Sequence, residues 1–308
     1  MPSLELRFPV RTLDGEELAP AGARLTPARI ADIVASGAAR NPPQIPLLEY
    51  GSIRRDLHAF LRQGAYRVIF EEREGFNAVL SLMEQTRLPL PVLEILRHFQ
   101  RNEPYTYRHT LMVFALSCLL ARDLGHGRRE ILLEAAAGPL HDIGKIAVPL
   151  RILKKTTPLT RSERRLLEHH PIAGHVLLCH YLGDPERFAS KVARDHHERK
   201  DGSGYPRGIR LKDRLLEIVA ACDVYDALIS PRPYRQVSYD NRTAIEEITA
   251  MAERGEIRWE IVTALVAHNR KNRPPLPECR VSREKRGTPP EGNLYGIVLE
   301  DDPSAAGE

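Results

Sequence analysis

The residues of this chain best suited to chemistry are histidines and carboxylates that occur close together. His141 and Asp142 are adjacent in the stretch AGPLHDIGK, and an apolar, helix-compatible run from Ile131 to Leu140 places them at a predicted helix end. Burying an imidazole beside a carboxylate is costly unless both are paired, and a divalent cation pairs with both. The pair therefore favours a metal site, although a helix-end hydrogen bond is the commoner role for one such pair alone.

Further candidate ligands make the metal interpretation stronger. A helical bundle can direct imidazoles and carboxylates from several helices into its core, and a carboxylate can bridge two ions. The candidate ligands, from five segments, are His109, His141, Asp142, His170, His196, His197 and Asp223. The sequence has no GxSxG elbow, Cys–His arrangement or GxxxxGK[ST] loop that would favour a nucleophile mechanism or a nucleotide triphosphatase.

The elements that must position these residues are predicted to be helices. From about residue 93 to 271, apolar residues recur at helical spacing between polar or glycine-containing turns. The clearest predicted helices are Tyr107–Leu124, the segment from the N-cap Asp240 to Gly255, and Trp259–His268.

The N-terminal region is predicted to be a small α+β unit. The alternation in LELRFPV and the Asp14–Gly15 pair predict a hairpin, and Thr26 and Pro27 predict the N-cap and first residue of a helix ending near Gly37. The predicted organisation is an N-terminal accessory or regulatory region at 1–92, a helical domain at 93–272, and a Pro-rich, poorly ordered tail at 273–308.

Composition excludes several classes of protein. The apolar fraction is 42% and the charged fraction 28%, and no apolar run approaches the ~20 residues of a membrane span. The start of the sequence lacks a signal-peptide pattern, so we expect a cytoplasmic protein. The net charge of +4 does not imply nucleic acid and is compatible with a small anionic ligand. The basic residues of 270–286 favour a solvated segment, and contact with an acidic protein partner is left open.

The four cysteines are predicted to be reduced core residues. They are far apart in sequence and form no CxxC motif, and three of them lie in apolar helical contexts. Disulfides and zinc knuckles are therefore not expected.

Three sequence blocks carry a family resemblance. LHDIGKI, then HHERKDGSGYPRG about 55 residues later, then ACDVYDALISPRPYR resemble the HD-GYP domain of the HD metal-dependent phosphohydrolases, over roughly residues 96–269. The resemblance implies a mainly α, all-helical HD-type bundle that cleaves cyclic di-GMP to linear pGpG, with GMP left open as a further product. It also implies two divalent metal ions per chain, iron or manganese.

The resemblance assigns a role to each matching residue. The metal ligands it implies are those already named, with Asp142 bridging two ions that hold a hydroxide for attack on phosphorus. Lys145 would act beside this hydroxide, and Tyr205, Arg232 and Arg235 would contact the substrate. His169 has no counterpart in the family, and we expect it at the surface.

One departure from the family pattern concerns the number of metals. Family members with a third metal carry a glutamate four residues before the first histidine ligand, and here that position is Tyr105. Glu103 is two residues out of register. The sequence therefore favours a two-metal centre.

Two other functions are left open. An HD-GYP module with little or no turnover would act as a cyclic dinucleotide sensor or a docking domain for signalling proteins. A phosphodiesterase for another cyclic dinucleotide would keep the same ligands. The complete set of two-metal ligands favours an enzyme, and the GYP block with Arg232 and Arg235 favours a cyclic dinucleotide.

Overall fold

The protein is mainly α, as predicted, in a computed structural model that describes residues 4–38, 40–135, 137–232, 235, 237–293 and 297–301. None of the helices in these ranges is long and apolar enough to cross a membrane. The four cysteines are buried and free, in agreement with the sequence prediction.

The N-terminal hairpin and helix form as predicted. Val10 pairs with Ala19 and Arg11 with Glu17 in an antiparallel ladder, and Gly15 adopts a φ of +90° in the connecting turn. Thr26 Oγ1 accepts a hydrogen bond from the Arg29 backbone N–H at 3.2 Å, which caps the following helix. The elements of this N-terminal module (residues 4–38) are β1 Val10–Arg11, β2 Glu17–Ala19 and α1 Pro27–Ala38.

The remaining chain consists of helices with short strands between them. The elements, in chain order, are β3 Gln44–Pro46, α2 Ile53–Leu61, α3 Tyr66–Ile69, α4 Arg73–Gln85, β4 Arg87–Pro89, α5 Leu90–Asn102, α6 Pro104–Asp123, α7 Arg128–Ala135, α8 Leu150–Leu153, β5 Leu159–Thr160, α9 Arg161–Leu167, α10 His170–Leu182, α11 Phe188–Asp195, α12 Arg214–Ile229, α13 Asn241–Glu253, α14 Trp259–Asn269 and β6 Val298–Leu299. Short 3₁₀ helices lie at Leu47–Glu49, Gly138–Leu140, Ile143–Ala147 and Leu276–Glu278. The three helices predicted most clearly from the sequence correspond to α6, α13 and α14.

Helix α6 lies at the centre of the main hydrophobic core. It packs against α5 and α12, and nearly all its residues from Thr106 to Ala121 are buried. Glu103 caps its start by accepting the Thr106 backbone N–H at 2.8 Å, and Gly125 follows its end with a φ of +85°. His109 is therefore held inside the core by a helix that is buried on most of its surface.

A second hydrophobic cluster joins the N-terminal module to α10. Leu6, Val10 and Ile33 pack with Val176 and Leu177. The approach is close at Gly37, where a Cβ would lie 1.7 Å from the carbonyl oxygen of His180. The main core, in contrast, includes residues on both sides of position 92. The predicted boundary at that position stays a prediction.

Part of the C-terminal segment has defined contacts where the sequence predicts poor order. Strand β6 pairs in parallel with β5, and Asp301 accepts hydrogen bonds from the Ser162 backbone N–H at 2.9 Å and from its hydroxyl at 2.8 Å. Arg273 donates to the carbonyl of Ile69 at 3.0 Å. The last residues of the predicted tail, 302–308, lie outside the described residues.

Candidate metal centre

One group of ligands forms where α6 and α12 face each other. His109 Nε2 lies 3.0 Å from Asp223 Oδ1 and 3.2 Å from His141 Nε2. His141 Nδ1 donates to the carbonyl of Gly138 at 2.6 Å, so its Nε2 carries the lone pair in the neutral ring. All three side chains are buried, and one donor atom from each lies within 4.8 Å of the other two.

The turn that carries His141 and Asp142 differs from the predicted helix end. These two residues lie between the 3₁₀ helices Gly138–Leu140 and Ile143–Ala147. The reason is close packing, because a Cβ at Gly138 would lie 2.6 Å from Phe114 Cα on α6. The tight turn places both side chains against α6.

A second group of ligands forms at the start of α10 and after the end of α11. His170 Nε2 lies 3.3 Å from His196 Nε2 and 3.2 Å from His197 Nε2. His170 Nδ1 donates to the carbonyl of Leu167 at 2.6 Å, and His196 Nδ1 lies 3.0 Å from the carbonyls of Val192 and Ala193. These backbone contacts direct the Nε2 atoms of His170 and His196 toward one point.

Asp142 lies between the two groups. Its Oδ1 is 3.3 Å from His170 Nε2 and 3.8 Å from His196 Nε2. Its Oδ2 is 3.5 Å from both His109 Nε2 and His141 Nε2. Each carboxylate oxygen therefore faces a different group of histidines, as a bridging ligand requires.

The donor set fits metal ions better than it fits hydrogen bonding alone. His170 and His196 point Nε2 lone pairs at each other across 3.3 Å, because each ring directs Nδ1 at a backbone carbonyl. Two lone pairs repel, whereas a cation accepts both, and a histidine whose other nitrogen donates to a carbonyl is the usual form of a metal ligand. Asp142 and Asp223 would supply negative charge to such ions.

Electrostatics favours the ligating protonation states of His196, Asp142 and Asp223, whereas the pKa of His141 is raised, because Asp142 and Asp223 outweigh the effect of burial. Burial lowers the pKa of His196 to about 3, helped by the neighbouring His141 and His170 rings. Burial alone would raise the pKa of Asp142, but Lys145 and His141 hold it well below its ordinary value. Burial alone would also raise the pKa of Asp223, but the neighbouring His109 ring holds it well below its ordinary value. Neutral imidazole and ionised carboxylate are the ligating forms.

A cavity opens in front of both groups and contains the predicted substrate-binding residues. It is lined by Lys145, Tyr205, Arg232 and Arg235 together with candidate ligands. Lys145 Nζ lies 2.6 Å from Asp142 Oδ2. The Tyr205 ring stacks on His197 with centroids 4.6 Å apart and planes 15° from parallel.

The two arginines are held differently. Arg232 Nη2 lies 3.1 Å from His109 Nδ1, close to the first ligand group. Arg235 is buried, and its Nη2 donates to the carbonyls of Ala227 at 2.5 Å, Leu228 at 2.8 Å and Ser230 at 3.0 Å. These carbonyls belong to the end of α12, so Arg235 fixes the segment that follows it. Residues 233 and 234, between the two arginines, lie outside the described residues.

Buried charges behind the cavity hold the GYP loop, which contains Gly204, Tyr205 and Pro206. Glu198 accepts the backbone N–H groups of Arg207 at 2.7 Å and Ile209 at 3.0 Å, and Arg207 Nη2 donates to Asp195 at 2.6 Å. The loop passes so close to the histidine pair that a Cβ at Gly204 would lie 2.2 Å from the carbonyl oxygen of His197. Gly204 therefore allows the loop to place Tyr205 over His197.

Two residues at the centre were missed by the sequence analysis. Asp226 Oδ2 lies 2.6 Å from His109 Nδ1, and the hydroxyl of Tyr66 donates to Asp226 Oδ1 at 2.6 Å. A signal for Asp226 was present, since it follows Asp223 by three residues and so lies on the same helical face. Nothing in the sequence indicates that Tyr66, which is 160 residues away, contacts it.

The prediction that His169 lies at the surface is wrong. The residue is 3% exposed, its ring lies edge-on to Phe8 at 5.5 Å, and burial lowers its pKa to about 4. It precedes α10 and faces the N-terminal module, whose packing could not be predicted from sequence. Tyr105 is 39% exposed and lines the cavity, as does Glu103, whose carboxylate caps α6.

A family model and several curated relatives match this chain. A family model described as an HD domain matches residues 95–257, more than half of the chain. The chain is 38% identical over 148 residues to a cyclic di-GMP phosphodiesterase of Thermotoga maritima, a match that covers 47% of this chain and 40% of the relative. It is 39% identical over 171 residues to a cyclic di-GMP phosphodiesterase of Pseudomonas aeruginosa, which covers 54% of this chain and 39% of the relative.

A third relative has a different substrate in its name. The chain is 35% identical over 149 residues to a 3'3'-cGAMP-specific phosphodiesterase of Vibrio cholerae, a match that covers 47% of this chain and 32% of the relative. The chain thus spans two fifths or less of the length of each of these curated relatives.

Proposed function

Because the chain belongs to the HD-domain family and to its HD-GYP branch, we propose that it is a metal-dependent phosphodiesterase that hydrolyses cyclic di-GMP to linear pGpG. The observation that carries the proposal is the position of Asp142, with one carboxylate oxygen toward each group of histidines. Such an arrangement suits two ions that act together on one phosphodiester.

The ligands divide between the two proposed ions. His109, His141, Asp142 and Asp223 would hold one, and Asp142, His170, His196 and His197 the other. Imidazole and carboxylate ligands without thiolate suit first-row ions, and we propose iron or manganese. When bound, the ions would supply Lewis-acid charge that lowers the pKa of water and polarises the phosphoryl group.

Lys145 places a compact positive charge at the cavity wall. Its ammonium lies 2.6 Å from Asp142 Oδ2, where it neutralises part of the negative charge that would repel a phosphodiester. An ammonium has three donors, so Lys145 can keep the Asp142 contact and also donate to a phosphate oxygen. We propose this as its role in the reaction.

We propose that Tyr205 and Arg232 contact the substrate and that Arg235 acts beside them. Tyr205 offers an aromatic edge and a hydroxyl beside His197, and Arg232 offers a guanidinium beside His109. Charged guanidinium groups bind phosphate strongly through paired hydrogen bonds. Because Arg235 Nη2 is hydrogen-bonded to the α12 carbonyls, we propose that Arg235 supports the loop of Arg232 and that Arg232 makes the closer phosphate contact.

A second candidate substrate is 3'3'-cGAMP. The similarity to a phosphodiesterase named for that dinucleotide favours this substrate. Both candidate substrates also present two phosphodiesters and at least one guanine. The two substrates differ in one base only. The proposed metal chemistry is the same for both.

The test is incubation of the purified protein with each cyclic dinucleotide and chromatography of the products. We expect linear pGpG from cyclic di-GMP, and loss of more than 99% of this activity in Asp142→Ala. If only 3'3'-cGAMP gave a linear product, it would replace cyclic di-GMP as the proposed substrate. Binding of either dinucleotide without any product would favour the sensor function instead.

A further inference from the structure

A buried phenol outside the family match contacts the candidate metal centre through a carboxylate. Tyr66 lies on α3, before the HD match begins at residue 95, and its side chain is fully buried. Its hydroxyl donates to Asp226 Oδ1 at 2.6 Å, while Asp226 Oδ2 lies 2.6 Å from His109 Nδ1. Two short hydrogen bonds therefore join α3 to a candidate metal ligand.

The chemistry of these groups fixes the direction of each hydrogen bond. An ionised carboxylate only accepts, so the phenol donates to one oxygen and the His109 Nδ1–H donates to the other. With its proton on Nδ1, the His109 ring has its lone pair on Nε2. That nitrogen faces Asp223 at 3.0 Å and His141 at 3.2 Å, as a metal ligand must.

Other side chains near Asp226 support the same orientation. Ser230 Oγ donates to Asp226 Oδ1 at 2.9 Å, and Arg108 Nη1 lies 3.6 Å from the same oxygen. The guanidinium of Arg108 also lies over the Tyr66 ring, 5.6 Å from its centroid. The carboxylate oxygen that is not bonded to His109 is thus held from three sides, so the carboxylate cannot rotate away from the imidazole.

One contact competes for His109 Nδ1. Arg232 Nη2 lies 3.1 Å from this nitrogen, and a guanidinium only donates, so a hydrogen bond between them would require Nδ1 to accept. The carboxylate contact at 2.6 Å requires Nδ1 to donate. The shorter, charge-assisted contact with Asp226 decides the tautomer.

We propose that Tyr66 and Asp226 are positioning residues that fix the tautomer and orientation of His109 for metal binding. The phenol of α3 orients the carboxylate, and the carboxylate orients the imidazole. This inference rests on the metal centre of the proposed function and not on the identity of its substrate. It makes α3, which lies before the matched HD domain, part of the support of the centre.

The test compares two buried phenols that each lose only a hydroxyl group. Tyr66→Phe removes the donor to Asp226. The matched control is Tyr225→Phe, because Tyr225 is also fully buried and neighbours Asp226, but its hydroxyl donates to Asn269 Oδ1 at 3.1 Å. Each protein is stripped of metal and titrated anaerobically with Co²⁺, followed by visible absorbance, and its thermal midpoint is recorded.

We expect one of the two Co²⁺ binding steps to weaken by about 10-fold to 100-fold in Tyr66→Phe, the range for loss of a hydrogen-bond partner of a ligand. The other step should match the wild type, and Tyr225→Phe should bind both ions as the wild type does. Equal weakening in both variants would show a general packing effect and overturn the proposal.

A second variant keeps the inference testable if Tyr66→Phe folds poorly. Asp226→Asn preserves shape, but its amide can donate to Nδ1 and so place the His109 proton on Nε2, where a metal must bind. We expect it to weaken the same Co²⁺ step at least as much as Tyr66→Phe does. If Asp226→Asn binds both Co²⁺ ions with wild-type affinity, the inference is overturned and the metal centre is left intact. Failure of the wild type to bind Co²⁺ would overturn the metal centre itself.

Discussion

A single carboxylate links the two halves of the site at the residue scale. The two carboxylate oxygens of Asp142 face different groups of histidines, and Lys145 Nζ lies 2.6 Å from the oxygen Oδ2. The two groups also meet directly, since the His141 and His196 rings lie edge-on with centroids 5.1 Å apart and His197 Nδ1 lies 3.8 Å from Asp223 Oδ2. Loss of Asp142 should therefore affect both proposed ions, whereas loss of His141 should affect mainly one.

Tyr205 and His141 should differ in how much activity depends on them. Tyr205→Phe keeps the ring that stacks on His197 and loses only the hydroxyl, so we expect kcat for cyclic di-GMP to fall less than tenfold. His141→Ala removes a ligand and should lower kcat at least a hundredfold. Steady-state kinetics of the two metal-loaded variants checks this, and equal losses would mean that the Tyr205 hydroxyl acts in the chemical step.

The residues that sequence could and could not identify differ in how their roles arise. The candidate ligands stand in short blocks with fixed spacing, and the structure brings all seven together. Tyr66 could not be identified, because its role depends on a contact made across 160 residues of chain. The surface assignment of His169 failed for the same reason, since Phe8 covers it from the distant N-terminal module.

Backbone contact between elements sets the spacing of the ligands. The 3₁₀ helix Ile143–Ala147 lies directly against the start of α10, and a Cβ at Gly144 would lie 1.9 Å from the His170 carbonyl oxygen and 2.4 Å from the Gly174 nitrogen. This approach keeps Asp142 and Lys145 next to His170. Only glycine permits it, because both neighbouring atoms belong to the backbone.

Gly144→Ala should therefore damage the metal centre without altering a ligand. We expect its affinity for metal to fall by at least tenfold, because the turn that carries Asp142 must move away from α10. Gly127→Ala is the matched control, since a Cβ there meets no atom within 4 Å. Metal titration of both variants checks the prediction, and wild-type affinity in Gly144→Ala would show that the turn adapts without cost.

Element boundaries were predictable where caps and periodicity agree. Asp240 caps α13 by accepting the Thr243 backbone N–H at 2.9 Å, as the sequence indicated. The turn before His141 was not predictable, because it depends on Gly138 packing against Phe114 of α6. An apolar run alone does not show where an α-helix ends. The helix can continue through the run, or it can stop earlier so that the next turn packs closely against a neighbouring helix.

At the scale of the whole molecule, the proposed centre joins segments that are far apart in sequence. Its ligands extend from His109 to Asp223 and come from α6, α10, α12 and the turns between helices. An ion that binds this set binds the native state and not the unfolded chain, so it stabilises the fold by mass action. The buried histidine pairs would otherwise place lone pairs against each other.

Removal of metal should therefore lower the stability of the entire domain. With free metal at a thousand times its dissociation constant, the expected stabilisation is about 4 kcal/mol per site. Thermal unfolding of the chelated and reloaded protein measures the difference, and reloaded His141→Ala should regain less of it. Identical midpoints with and without metal would contradict a ligand set that links the helices.

The arrangement of the N-terminal and C-terminal segments could be predicted only in part. The hairpin and α1 follow from turn and capping residues, but their contact with α10 does not. The pairing of β6 with β5 was also not indicated, since Val298 and Leu299 are exposed and pair through backbone groups. The limits of the accessory region at 1–92 stay a prediction.

The most direct test of the central claim is the hydrolysis of cyclic di-GMP during an anaerobic titration of the metal-free protein with Mn²⁺ or Fe²⁺. The two histidine groups joined by Asp142 predict no hydrolysis without metal and a rate that reaches its maximum at two equivalents per chain. Full activity at one equivalent, or activity in the metal-free protein, would contradict a two-metal phosphodiesterase.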